Sequence, residues 1–174
     1  RNDADRGGGL ACYGATGNSG THVLTEPIVR NTIIFGNTSA AADDGPDLSC
    51  DENGAPDNEG TVPVGFSLIG SPDPGTTIGT TGPNLIGVDP QLTSLAEFGG
   101  PTLTQKPAAT SPVIDAGSAF GLTSDERGLA RPFDAPTIAN AADGTDIGAV
   151  ELQAGDVPPA PVTPTPPGTS TKKK

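Results

Sequence analysis

Few residues in this chain carry chemistry, and their types and spacing narrow what they could do. His22 is the single histidine, so any Ser–His–Asp relay would have to run through it. It stands beside the start of an apolar run with no nucleophile elbow nearby, which favours a structural role. One histidine also excludes histidine-based metal sites. Asp51, Asn53 and Asp57 sit in Asp51-Glu52-Asn53-Gly54 and Asp57-Asn58-Glu59-Gly60, and they offer turn oxygens of the kind Ca²⁺ accepts. Their spacing matches neither an EF-hand loop nor the nonapeptide repeats of Ca²⁺-binding β-rolls, so a solvated acidic loop is the preferred account. Cys12 and Cys50 have no metal-ligand spacing; they are either one disulfide in an oxidising compartment or two unrelated thiols. Glycoside cleavage would need two carboxylates across one sugar bond, a pair that sequence alone does not place.

The charge balance limits the partners. The 174 residues hold 21 acids and 9 bases, a net charge of −12, and three of the bases are the terminal Lys172, Lys173 and Lys174. No Lys or Arg occurs between Arg30 and Lys106. Such a surface repels phosphate backbones and anionic lipid, which argues against nucleic-acid binding and leaves cations and neutral or basic partners. No apolar run is long enough to insert this chain in a membrane. The chain opens on Arg1 and carries no secretory signal, which suggests a processed chain or a piece of a longer precursor.

Short strands with many turns must position these groups. Hydrophobic residues make up 33% of the chain and aromatics 3%, while Gly (25) and Pro (19) approach the level at which disorder competes. Recurring β-branched runs such as Ile33-Ile34-Phe35 argue for an all-β fold instead. Residues 1–21 read as loop, and Ile28 to Phe35 as the best strand segment. The stretch of about 38–62 reads as an acidic insertion loop. Ser67-Leu68-Ile69-Gly70 returns 17 residues later as Asn84-Leu85-Ile86-Gly87, and Asn31-Thr32-Ile33-Ile34 looks like a third copy. An apolar pair that sends one side chain inward, followed by a Gly corner, is what a coil of a β-solenoid requires. An Asn at equal places on successive coils would stack and satisfy corner backbone groups. From 154 to 174 the chain is a Pro/Thr-rich linker or tail of polyproline type.

The half between these regions carries a family resemblance. Asp89-Pro90-Gln91-Leu92 is followed by Phe98-Gly99-Gly100-Pro101-Thr102 and Ser111-Pro112-Val113-Ile114-Asp115-Ala116-Gly117. Asp125-Glu126-Arg127-Gly128, Arg131-Pro132 and Asp146-Ile147-Gly148-Ala149-Val150-Glu151 complete the series. In this order the blocks resemble the C-terminal signature of the choice-of-anchor Q family, bacterial secreted proteins with a pectin-lyase-like right-handed parallel β-helix. The resemblance implies the last coils of such a helix in residues 1–88, continuing from a missing N-terminal part, a C-terminal cap in 89–153 and a disordered tail. It implies a secreted or cell-surface location in a bacterium. This chain ends without the apolar tail of a sorting anchor, so its mode of attachment is not implied.

A solenoid ends in an open strand edge that a cap must close. On that reading Asp115 accepts backbone N–H bonds in a turn that Gly117 allows. Arg127 and Arg131 then cross-link cap segments by pairing with Asp125, Asp146 or Glu151. The same residue types occur in active sites, but a cap needs them equally. The expected function is therefore non-catalytic: a structural or adhesive surface protein with no cofactor, whose partner is carbohydrate or another surface protein. The alternative is the end of a polysaccharide lyase or glycoside hydrolase whose active site lies in the missing coils.

Overall fold

The computed structural model describes residues 3–4, 8–13, 15–16, 22–23, 27–40, 45–51 and 61–156. The described residues are all-β, with no helix. In chain order the strands are β1 (Asp3–Ala4), β2 (Leu10–Tyr13), β3 (Ala15–Thr16), β4 (His22–Val23), β5 (Val29–Arg30) and β6 (Ile33–Ile34). They continue as β7 (Thr38–Ser39), β8 (Leu48–Asp51), β9 (Thr61–Gly65), β10 (Ser67–Ile69), β11 (Thr77–Thr80) and β12 (Asn84–Ile86).

Among the described residues, four of the five sheets are purely parallel; β3 and β4 form an antiparallel pair. One sheet has the order β5-β9-β11 and another β6-β10-β12. The chain therefore visits the two sheets in turn on three successive passes, which stack as rows β5/β6, β9/β10 and β11/β12. The smaller sheets pair β2 with β8 and β1 with β7. The internal repeat is the observed register: Leu68 lies between Ile33 and Leu85, and Ile69 between Ile34 and Ile86.

Several sequence expectations need correction. Residues 28–35 do not form one strand, because Asn31 adopts φ 47 and turns the chain from β5 into β6. Asn is among the few residues that accept this left-handed region readily. Phe66 makes the same turn between β9 and β10 at φ 53, where an aromatic residue is strained. Its ring is held edge-on against Phe120, with centroids 5.8 Å apart, and Gly82 leaves room that a Cβ would fill. The expected loops at 1–21 and 38–62 contain β1, β2, β3, β7 and β8. Alternation in Leu48-Ser49-Cys50, hidden among acids, puts Leu48 and Cys50 in the core. Asp47, inside the stretch expected to be an acidic insertion loop, is buried; its carboxylate accepts the Asn37 and Ser71 amides at 2.9 and 2.8 Å. Residues 52–60, and 157–174 of the Pro/Thr-rich segment, lie outside the described residues.

A polar ladder closes the corner ahead of β6, β10 and β12. The Thr32 amide donates to Ser67 Oγ at 3.1 Å, and the Ser67 amide to Asn84 Oδ1 at 3.1 Å. Asn84 Nδ2 returns to the Val64 carbonyl at 2.9 Å. Stacked polar side chains thus do serve the corner backbone, but the rungs are Thr32, Ser67 and Asn84. Asn31 stands one place earlier and bonds elsewhere.

Successive strand residues face opposite ways, so each apolar pair feeds two clusters. Ile34 and Ile69 point inward with Val29, Leu48, Val62 and Val64. Ile33, Leu68 and Leu85 point outward and meet Val113, Ile147, Val88 and Ala116. Residues 88–156 have no regular strand, and through Val88, Val113, Ala116 and Ile147 they pack on the outer face of the β6-β10-β12 sheet. The segment expected to close the end rim touches all three rows from the side. The β11/β12 row stays open among the described residues, with Ile86 44% exposed. Three outward apolar side chains demand more cover than one strand edge, which explains the placement. Leu68→Ala should cost about 2–5 kcal/mol in urea unfolding, because the residue joins both parts. A loss below about 1 kcal/mol would show that the two parts do not share this cluster.

Candidate functional site

The charged residues singled out in sequence meet within residues 111–156. Asp125 opens a tight turn in which its Oδ1 accepts the Arg127 and Leu129 amides at 2.9 and 3.0 Å. Its Oδ2 takes Arg127 Nε at 2.9 Å and the Glu151 amide at 3.0 Å. Arg127 also donates to the Glu151 carbonyl. Arg131 pairs with Glu151, Nε to Oε2 at 2.8 Å, and its Nη2 donates to the Gly148 carbonyl at 2.8 Å. Glu151 accepts the Phe133 and Asp146 amides as well, at 2.7 and 3.1 Å. Side chains in both ion pairs are at most 5% exposed.

Asp146 pairs with neither arginine. Its two oxygens accept the Asp115 and Leu152 amides at 2.9 and 2.7 Å. Asp115 accepts an amide, but from distant Ala135 at 3.1 Å rather than from its own turn. Asp115 itself takes the left-handed conformation, φ 54, whereas Gly117 is needed for close approach to Asn31 and Asp146. Sequence reasoning missed Asn31 as a fastener: its Nδ2 reaches the Asp146 carbonyl at 3.1 Å and its Oδ1 accepts the Ser118 amide at 3.1 Å. The one available signal was an Asn that tolerates a left-handed turn ahead of an apolar pair.

Burial pushes Asp146 up to about 7, against two amide bonds and with the charges of Glu151 and Asp115 adding to the rise. Burial likewise pushes Asp115 up to about 6, with Asp134 and Glu151 adding to it. Burial raises Glu151 too, despite its amide bonds and Arg131. For Asp125 burial acts in the same sense, but the Glu151 amide, Arg127 and the Leu129 amide outweigh it and hold the carboxyl below its ordinary value.

The remaining candidates separate from this cluster. Cys12 and Cys50 face each other across β2 and β8 as a disulfide, with Cα atoms 4.5 Å apart. His22 lies in β4, and Asp51 ends β8; their side chains, with Asn53 and Asp57, are outside the described residues. Among the described residues no group of three His, Cys, Asp or Glu could hold a metal ion.

A groove of about 780 Å³ runs between Arg30–Ile33 and the C-terminal segment, walled by Leu95, Leu103 and Leu122. Asp125 and Arg131 also line it, but their charged atoms are already bonded inside the cluster. Glu126, bonded to Thr102 through one oxygen, is the remaining carboxylate of the wall. One such group is short of the carboxylate pair that glycoside hydrolysis uses. Comparison with known proteins gives no match: no family model, no curated protein and no solved structure.

Arg131→Ala would leave Glu151 charged and buried without its cation, at a cost of about 3–5 kcal/mol in chemical denaturation. Arg127→Ala should cost less, because three backbone amides remain on Asp125. Equal losses in the two variants would contradict this division. The pH profile is a second check. In the folded chain Asp115 and Asp146 keep protons at pH values where the unfolded chain has released them. Folding thus takes up protons between about pH 4 and 7, and stability falls as pH rises through that window. Asp125 and Asp156 are lowered, so their contribution is lost as pH falls below about 4. The melting temperature should be higher at pH 5 than at pH 8. Asp115→Asn keeps an acceptor for the Ala135 amide and suits the left-handed conformation. It should flatten the slope and raise stability at pH 8, by at most on the order of 3 kcal/mol.

Proposed function

We propose that this chain is the C-terminal part of a right-handed parallel β-helix protein of the choice-of-anchor Q type. In this reading it is secreted or displayed on a bacterial surface, and its role is structural or adhesive rather than catalytic. The observation that carries the non-catalytic reading is the state of the arginine–carboxylate cluster. Its guanidinium groups and carboxylates are bonded to backbone or to each other, and none is left to touch a substrate. A catalytic acid or base must reach the reacting atom, whereas these groups hold separate segments together.

Other observations support the fold and the setting. Three passes in parallel register, with a polar ladder at the corner, match the periodic build of a coil. The Cys12–Cys50 disulfide suits an oxidising compartment. The net charge of −12 suits neutral or basic partners such as glycans or surface proteins, and the groove beside Arg30 is the concave surface where one would dock.

The test is turnover by the purified chain on pectin, alginate and related glycans, followed by release of reducing or unsaturated ends. No release above buffer is expected. Release that disappears in Glu126→Gln would make the groove an active site and end the non-catalytic reading.

A further inference from the structure

The last row, β11/β12, has the physical attributes of a contact surface. In a parallel strand, N–H and C=O groups alternate between the two neighbours. The Thr81 and Gly87 amides donate to Val64 and Ile69 of the middle row. By alternation, the backbone groups of Ile78, Thr80, Asn84 and Ile86 point away from it. Among the described residues, no backbone hydrogen bond covers that edge. Ile86 continues the inward column of Ile34 and Ile69, yet it is 44% exposed where Ile69 is fully buried. Exposed edges are normally blunted by charge or a bulge. Here no charged residue occurs from Pro74 to Val88, within a chain of net charge −12.

We infer that this row pairs with the same row of a second copy, forming a two-fold dimer by strand addition. Charge selects the occupant: two strongly acidic chains can meet without facing like charges only through a neutral surface, and this row is one. The geometry is self-complementary. The chain runs along β11 into the corner at Thr81–Pro83 and leaves it along β12. A two-fold axis through that corner lays β11 of each copy beside β12 of the other, in antiparallel sense. Each copy then supplies the backbone partners and the apolar lid for Ile86 that the other lacks. An isologous contact of this kind closes on itself and stops at two copies. The inference uses row geometry and charge, and stands apart from the proposed surface role.

Sedimentation of the full chain over a concentration series tests it. A reversible monomer–dimer equilibrium is expected, tightened by added salt because each copy carries excess negative charge. Ile86→Lys should weaken the dimer at least about 100-fold, since two ammonium groups would enter one interface. Thr80→Lys, at an exposed position of β11, gives the same loss without touching the core, should Ile86→Lys fail to fold. Leu122→Lys, exposed but away from the row, should dimerise as the wild type does. A chain that is monomeric at all concentrations overturns the inference, as does a dimer insensitive to Ile86→Lys and Thr80→Lys. Open-ended polymers, or dimers that form only after residues 157–174 are removed, overturn it too.

Discussion

Apolar side chains on both faces of one sheet are the constraint from which the rest of this architecture follows. Each pass brings a pair, Ile33-Ile34, Leu68-Ile69 or Leu85-Ile86, and adjacent strand residues face opposite ways. One member joins the inner core and the other is left outside. A sheet with polar residues on its outer face would need no cover. This sheet needs a second layer, and Val113, Ile147, Val88 and Ala116 of the C-terminal segment supply it. Asn31 then fastens the segment at the first row, bonding Ser118 and the Asp146 carbonyl.

That second layer is built without strands, so its backbone groups lack a ladder to satisfy them. Buried amides still need acceptors. Carboxylates take that place: Asp115 serves Ala135, Asp146 serves Asp115 and Leu152, and Glu151 serves Phe133 and Asp146. Asp125 serves the amides of Arg127, Leu129 and Glu151. Four acids gathered in so small a volume repel one another, and two arginines offset only part of that charge. Burial, reinforced by this repulsion, pushes Asp146 up to about 7 and Asp115 up to about 6, so both release their protons at a higher pH than an exposed carboxyl does. Acid content that reads as solvent-facing surface is here part of the interior.

The strand rows were legible because their apolar pairs recur with a corner residue before them, and register follows from matching those pairs. The corner between β5 and β6 was not, since one residue at positive φ interrupts what composition presents as a continuous strand. Leu48 and Cys50 were hidden because acids on both sides of a short alternating run imitate a loop. Arg127, Arg131 and the four acids could be picked out in sequence as charged residues close together in one segment, but not their partners. Asp146 bonds amides instead of a guanidinium, and Asp115 reaches Ala135 across twenty residues. Such pairings depend on how loops cross in space, and no local pattern encodes them.

The placement of the C-terminal segment follows from the relative size of two demands. Closing a terminal row satisfies a few strand-edge groups, which water also satisfies when the edge is exposed. Covering Ile33, Leu68 and Leu85 removes apolar surface for which water offers no substitute, at roughly 25 cal/mol per Å². Where one segment cannot meet both demands, the apolar face takes precedence. The price is a last row with its inward isoleucine partly in solvent, in a stretch from Pro74 to Val88 that carries no charged residue. Under the strand-addition inference, a neutral open row is where two acidic copies would meet with least repulsion.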